Sequence, residues 1–408
     1  MIRKGFHYDY RRSRSKHDFV IMDLHGKAIE RGAVAHNANA LEELATSIKH
    51  HVSDVEQVHV GLELNNGALL AWLVVRGYSV FGIQPKSTQR FRDIYRPSGS
   101  KDDRIYACVL AEFVRVNTSR LRPWCPPSKM TLELGELLRW REELVQQRTA
   151  AYQRLRALLA EWSPQLAELC DNLNCIWQLD LLSQFPTETR LCQAHGNRIR
   201  SFVRNHRVRP KKKQQIEDIR RSVPMPVPAG RAQVLERQTS FLVEQIRMLT
   251  AEIKHIEEDL QQLIAQHHDV NIFESLPVQG IVTIASLLAI FGDNHKRTIS
   301  VDELAALCGV APVTIASGKT KRVRQRRACD HTFRQALVHF AFNTAFCDGC
   351  RAVQFYQRKR SEGATHYVAL RCLAKRWLKI LHRIWKGRIT YDEQLHQANQ
   401  RRNRSHAA

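Results

Sequence analysis

The spacing of apolar positions changes period along the chain, and each change marks a different kind of element. Residues 18–115 alternate short β-type runs with helical ones. "DFVIMDLHGK" is a β-rich run, with "AIERGAVAHN" as its hairpin partner, and Asn39–His51 has helical spacing. "VEQVHVGLEL" is a second buried strand, Gly67–Arg76 is helical, and "YSVFGIQP" is a third apolar strand, stopped by Pro85. Strands interleaved with helices predict an α/β sheet domain over residues 18–120.

Residues 129–270 read as a helical, coiled-coil region. Leu134, Leu137, Leu144, Leu155, Leu158 and Trp162 keep heptad-like spacing, "RVRPKKKQQ" is a charged break, and "SVPMPVPAGR" at 222–231 is a Pro-rich linker. Leu235, Thr239, Leu242, Ile246, Leu249, Ile253, Ile256, Leu260 and Leu263 then step alternately by four and three residues. Such a seam requires a helical partner, either the 134–162 helix of the same chain or another subunit. The span 272–395 forms a mainly α C-terminal domain. It opens with "ESLPVQGIVTIASLLAIFGD", shaped like a helix-hairpin-helix unit that binds phosphate backbone, and Ser300 stands before Glu303 as in a capping box. Residues 396–408 are a polar tail.

Composition adds a partner. The chain of 408 residues carries 63 Lys and Arg against 40 Asp and Glu, a net charge of +23, which implies a polyanion and points to nucleic acid. Residues 1–17 hold Arg3, Lys4, Arg11, Arg12, Arg14 and Lys16 with no apolar segment after them, and read as a disordered basic arm rather than a secretory signal. No run reaches the ~18 apolar residues of a membrane span; the longest, Ile281–Gly292, is broken by Thr283 and Ser286. The ten cysteines show no disulfide framework, which fits a reducing cytosol. Cys347 and Cys350 read as two buried thiols in a helical segment rather than zinc ligands, and Trp377 and Trp385 as core residues of an amphipathic helix.

Three acids stand at element ends in the α/β region. Asp23 closes "FVIMD", Glu63 closes "HVGLE", and Asp103 opens the helix after the turn at 97–99, with Tyr106 one helical turn later. Acids at a helix start often serve only as caps. Carboxylates converging from strand ends repel one another unless a divalent cation neutralises them, and Mg²⁺ prefers such oxygen ligands.

The block "SGSKDDRIYA", together with Asp23, Glu63 and "LELNNGALLAWLVVRGYSVFGIQP", resembles the DEDD transposases of the insertion-sequence one-ten family. The family's third block reads glycine, small residue, lysine, any residue, Asp, two of any kind, Asp, Ala. Here Gly99, Ser100, Lys101, Asp102 and Asp103 keep that register, Tyr106 stands where the fourth Asp is expected, and Ala107 follows. "ALCGVAPVTIASGKTKRVRQRRACDHTFRQAL" resembles the family's second signature, and "HYVALRCLAKRWLKILHRIWKGRITYDE" its closing helix, so the likeness extends over about residues 18–395.

The resemblance implies an α/β RNase H-like (RuvC-like) N-terminal domain whose Asp23, Glu63 and Asp103 hold Mg²⁺, a coiled-coil middle and a C-terminal serine domain. It makes Ser317 a nucleophile, with Gly318 letting the backbone approach DNA, and Lys319, Lys321, Arg322, Arg324, Arg326 and Arg327 contacts to phosphate. It further implies donor and target DNA, a non-coding guide RNA, a homodimer or homotetramer joined through the coiled coil, and a bacterial, cytoplasmic, nucleoid-associated setting. Two readings stay open: an active recombinase, or a nucleic-acid-binding relative with impaired chemistry, because a phenol of reference pKa ~10 cannot replace a carboxylate. Asp102 is a possible substitute for the missing acid, but adjacent helical residues point about 100° apart. A basic coiled-coil scaffold would leave the two long blocks unexplained.

Overall fold

The computed structural model describes residues 2–7, 16–52, 54–63, 67–95, 103–172, 175–295, 299–318, 320–347 and 349–394. The chain divides into two compact units, Met1–Pro126 and Pro127–Ala408.

In the first unit the strands are β1 (Ile2–His7), β2 (Lys16–Met22), β3 (Ala28–Ala35), β4 (Val58–Leu62) and β5 (Ser79–Gly82). The helices are α1 (Ala38–His51), α2 (Ala68–Val75), α3 (Pro85–Tyr95) and α4 (Asp103–Asn117). The five strands form one sheet in the order β3-β2-β1-β4-β5. β1 pairs antiparallel with β2 and parallel with β4, and β4 pairs parallel with β5.

Both faces of this sheet are covered, which is why "DFVIM" is a continuous apolar run instead of an alternating one. Phe19 and Ile21 join Val58, Val60 and Leu62 against Leu41, Leu44 and Ile48 of α1 and Leu69, Leu70 and Leu73 of α2. Val20 and Met22 face Ala107 and Ala111 of α4 on the other side. Gly61 permits the close approach of α4: a Cβ there would stand 2.8 Å from Val114 Cγ2.

β1 corrects the reading of residues 1–17 as a basic arm, because Ile2–His7 is the middle strand of the sheet. Its apolar signal is short and interrupted by Arg3 and Lys4, so charge hid the strand.

In the second unit the helices up to the linker are α5 (Lys129–Trp162), α6 (Pro164–Leu169), α7 (Ile176–Gln184), α8 (Glu188–Cys192), α9 (Gly196–Asn205) and α10 (Pro210–Arg221). Beyond it come α11 (Ala229–Gln266), α12 (Val270–Glu274), α13 (Ile281–Phe291) and α14 (Val301–Leu307). A hairpin of β6 (Pro312–Ser317) and β7 (Thr320–Gln325) follows, then α15 (His331–Ala345), α16 (Arg351–Ser361) and α17 (His366–Gly387). No described helix is long and apolar enough to cross a membrane.

The partner of the apolar seam is α5 of the same chain. Leu134, Leu138 and Leu144 cluster with Leu249, Ile253, Ile256, Leu260 and Ile264, whereas Ala151, Leu155 and Leu159 meet Val243 and Ile246. Early α5 therefore faces late α11, and the two run antiparallel. Leu242 and Leu263 of the expected seam are only half-buried, and their neighbours Val243 and Ile264 are buried instead. A helix of 3.6 residues per turn drifts from a strict seven-residue repeat, and α7 and α13 also pack on α11.

One core runs across the boundary expected near residue 270, since the cluster around Ile256 and Leu260 of α11 continues into α13, α15 and α17. α13 is buried along most of its length, with Ile284 to Leu288, Ile290 and Phe291 all inside. It is a core helix beyond its first turn, while Pro277, Gln279 and Gly280 of the α12–α13 turn and Ile281 after it are exposed, so the helix-turn-helix shape expected there is present. The charged break at 207–215 is mostly the start of α10, whose Pro210 sits in the first turn, where a missing N–H costs nothing. Cys347 and Cys350 lie in the α15–α16 connection and not within a helix, Cys350 buried and Cys347 half-buried. Trp377 and Trp385 are buried, their indole N–H groups donating to Thr344 Oγ1 and Gly292 O at 2.9 Å.

Two glycine substitutions test this packing in opposite directions. Gly61→Ala should lower stability by about 1–3 kcal/mol, because α4 or Ile83 must move aside. Gly135→Ala, inside α5 with Arg139 Nη1 at 3.7 Å as its nearest neighbour, should raise it by roughly 0.5–1 kcal/mol. Denaturant unfolding of the purified variants measures both.

Candidate functional site

The direction of each strand decides which acids can meet. Arg3 of β1 pairs with Met22 on one side and His59 on the other, and Phe6 pairs with Phe19 and Leu62. Asp23, just after Met22, is therefore level with the start of β4, while Glu63 follows its end. From Val58 to Glu63 a strand climbs ~16 Å, and β2 lies two strand spacings, about 10 Å, from β4. α4 spans the same distance: Tyr106, near its start, lies at Glu63, and Arg115, near its end, donates to Leu24 O at 3.2 Å.

Asp23 and Glu63 thus lie at opposite ends of the sheet, and the expectation that they share an ion does not hold. Because β2 is antiparallel to β4, closing a strand means opposite edges for the two. Asp23 instead holds the β2–β3 turn. Its Oδ1 accepts from His25 N at 2.9 Å and Lys27 N at 2.8 Å. The Lys27 hydrogen bond foremost keeps its carboxyl below the usual carboxylate range.

The Glu63 end collects the remaining chemistry. Asp103 is the first residue of α4, and Tyr106 is one turn on. Asp102 lies outside the described residues. The Tyr106 hydroxyl donates toward Pro85 O at 3.3 Å and toward the Glu63 carboxylate. Burial first, and then Glu63, push the phenol well above its ordinary pKa, so it stays neutral. Thr88 and Arg92, both buried, also act on the phenol, and the Arg92 guanidinium meets Asp93 at 3.0 Å.

Asp18 was passed over in the sequence. It pairs with His7 at this end of the sheet, shares the α4-facing side with Val20 and Met22, and is 6% exposed. The available signal was a charged residue inside an apolar run. Carboxylate oxygens such as those of Glu63 suit a hard ion like Mg²⁺; a neutral phenol adds no charge to such a set.

Ser317 is the last residue of β6 and pairs with Thr320 across the turn of Gly318 and Lys319. Gly318 has φ +53°, the left-handed conformation such hairpin turns need. Lys319 lies outside the described residues. Thr320 Oγ1 donates to Ser317 O at 2.9 Å, and Ser317 itself is exposed. Among the described residues no base hydrogen-bonds its Oγ, although a serine needs a base or metal to become a strong nucleophile.

Behind the tip the hairpin is cationic. Arg322 and Arg324 are exposed on β7, paired with Ile315 and Val313, and Lys321 precedes them in the strand, paired with Ala316. Arg327 is exposed and Arg326 half-buried just beyond. At the base Arg371 Nη1 donates to Gln325 Oε1 at 3.1 Å, beside a groove of about 640 Å³ lined by Arg139, His331, Arg334, Tyr367 and Arg371 among others.

Comparison with known proteins places both regions. Residues 12–164 match a DEDD family model described as Transposase, and residues 270–357 match the model described as Transposase IS116/IS110/IS902 family. The chain is 25% identical over 391 residues to the "Mini-circle putative transposase for IS117" of Streptomyces coelicolor, covering 93% of each. It is 31% identical over 199 residues to "Putative transposase y4uE" of Sinorhizobium fredii, covering 48% of this chain and 55% of that one. It is 25% identical over 362 residues to the "Insertion element IS900 uncharacterized 42 kDa protein" of Mycobacterium paratuberculosis, covering 88% and 90%. With the two models matched in order along most of its length, the chain belongs to the IS110/IS116/IS902 family of transposases.

Proposed function

We propose that the protein cuts and rejoins DNA strands, with Ser317 as nucleophile and the carboxylates at the Glu63 end of the sheet as the Mg²⁺-binding centre. The observation that carries this reading is the position of Ser317, exposed at the tip of a cationic hairpin inside the segment that matches the second family model. Attack by Ser317 Oγ on a phosphodiester forms an Oγ–P bond as the bond to the departing strand oxygen breaks, and that oxygen takes up the proton. The phosphoserine keeps the bond energy, so a strand hydroxyl can displace the serine without ATP. Mg²⁺ held by the carboxylates would supply positive charge to neutralise phosphate oxygens. Arg322, Arg324, Arg326 and Arg327, with Lys319 and Lys321, bind the phosphates flanking the reacting bond.

Glu63 and Asp103 belong to the acidic set in this reading, and Asp9, which lies outside the described residues, is taken in place of Asp23. The reason is topological: β1 runs parallel to β4 and ends at His7, and Asp9 is the next acid along the chain. The partners are donor and target DNA and a non-coding guide RNA. A homodimer or homotetramer would use surfaces other than the 235–263 seam, which the chain's own α5 covers.

The impaired-relative reading is favoured by one observation. The neutral Tyr106 phenol engages Glu63 at the place of a fourth carboxylate, with Arg92 close by.

Three measurements separate these statements, all by strand exchange with element DNA, flanking RNA and Mg²⁺. Ser317→Ala should lose activity by ~10³-fold or more while still binding DNA, and no phosphoserine link should be trapped; parental activity would remove the serine assignment. Glu63→Gln and Asp9→Asn should be inactive whereas Asp23→Asn stays within about tenfold of the parent. Tyr106→Asp distinguishes the two readings: activity that emerges only in this variant establishes the impaired relative, and an active parent rules it out.

A further inference from the structure

A cluster of metal-type donors lies in the second unit, apart from the serine hairpin. α11 ends at Gln266, His267 caps it, and His268 and Asp269 follow before α12. His295 reaches the same point from the connection after α13. Its Nε2 lies 2.9 Å from Asp269 Oδ2, and His268 Nε2 lies 3.4 Å from the same oxygen. One donor atom from each of the three falls within 4.8 Å of the others.

The site is buried on one side and open on the other. Asp269 is 3% exposed, and its Oδ2 accepts no hydrogen bond, while Oδ1 meets His295 Nε2 at 3.1 Å. A carboxylate this deeply buried is costly unless a cation meets it, and the two histidine nitrogens at 2.9 and 3.4 Å mark where one would lie. The His295 ring is held by stacking on Trp385 at 4.9 Å, and its carbonyl accepts from Lys386 Nζ at 2.6 Å. His267 stacks on His268 at 4.9 Å, accepts from Asp269 N through Nδ1, and has a buried Nε2 with no partner. The His268 side chain is half-exposed and leaves a route for an ion.

The spacing suits a metal. Four ligands at the ~2.0–2.1 Å typical of zinc stand about 3.3 Å apart at the corners of a tetrahedron, and the two histidine–Asp269 separations, 2.9 and 3.4 Å, are close to that. Two imidazoles and one carboxylate also match zinc rather than Mg²⁺, which takes oxygen ligands. Without a metal the cluster would be an ion pair, a protonated His295 or His268 on Asp269 Oδ2 at 2.9 and 3.4 Å, so a test must separate metal binding from that pair.

We propose that His268, Asp269 and His295 bind one zinc-class divalent ion per chain. The ion would pin the end of α11 to the connection after α13, 26 residues on, and through Trp385 to α17. This links the long helical hairpin to the helices that carry the serine hairpin.

Full-length protein stripped with a chelator, dialysed against Zn²⁺ and analysed by mass spectrometry tests the site, with Co²⁺ as optical probe. One ion per chain, intense tetrahedral Co²⁺ bands and a raised unfolding temperature are expected. His268→Ala, at an exposed side chain that folding does not need, should weaken binding about tenfold or more. Asp269→Asn should weaken it further, and Glu63→Gln should leave it unchanged. Failure to hold a stoichiometric ion, or equal retention by parent, His268→Ala and Asp269→Asn, would overturn the proposal.

Discussion

The pairing of β1 between β2 and β4 is the constraint on which the first unit depends. One strand, antiparallel to its neighbour on one side and parallel on the other, sets which element ends share an edge. It turns Asp23 toward the β2–β3 turn and leaves Glu63, Asp18 and the start of α4 at the other end. It also buries both faces of the sheet, so α4 must lie close, and Gly61 makes room for it. The candidate chemistry at Glu63 follows from strand direction before any side-chain detail is considered.

The second unit is organised by the antiparallel packing of α5 on α11. These two helices form a rigid spine because their apolar faces close on each other and on α13, α15 and α17. Against that core the β6–β7 hairpin is different in kind: two short strands with exposed side chains, a left-handed glycine and a row of cations. A serine at such a tip is available to a large polyanion and is supported from behind by a packed scaffold. The proposed metal cluster lies where the spine turns into that scaffold, so it acts on the support and not on the tip.

Much of this was legible where periodicity was strong. The apolar runs around residues 20, 60 and 80, and the four-three stepping of α11, gave elements close to those observed, because burial imposes those periods directly. β1 was hidden by Arg3 and Lys4 within a strand of six residues. Asp23 misled because an acid after an apolar run reads the same whether its strand runs up or down the sheet. Direction is a property of pairing, and local sequence does not contain it. Asp18 was missed inside an apolar run for the same reason. Tyr106 was visible from the register of its block, but its engagement of Glu63 and its raised pKa needed the fold. The His268, Asp269 and His295 cluster joins positions too far apart for any spacing rule.

The central claim is that the ion-binding end of the sheet is the Glu63 end. Replacing Mg²⁺ with Fe²⁺ and generating hydroxyl radicals cuts the backbone next to the bound ion, and sequencing the fragments locates it. The account predicts cuts around residue 63 and at the start of α4 near 103–106, abolished by excess Mg²⁺. Cuts confined to the turn at 23–27 would contradict it.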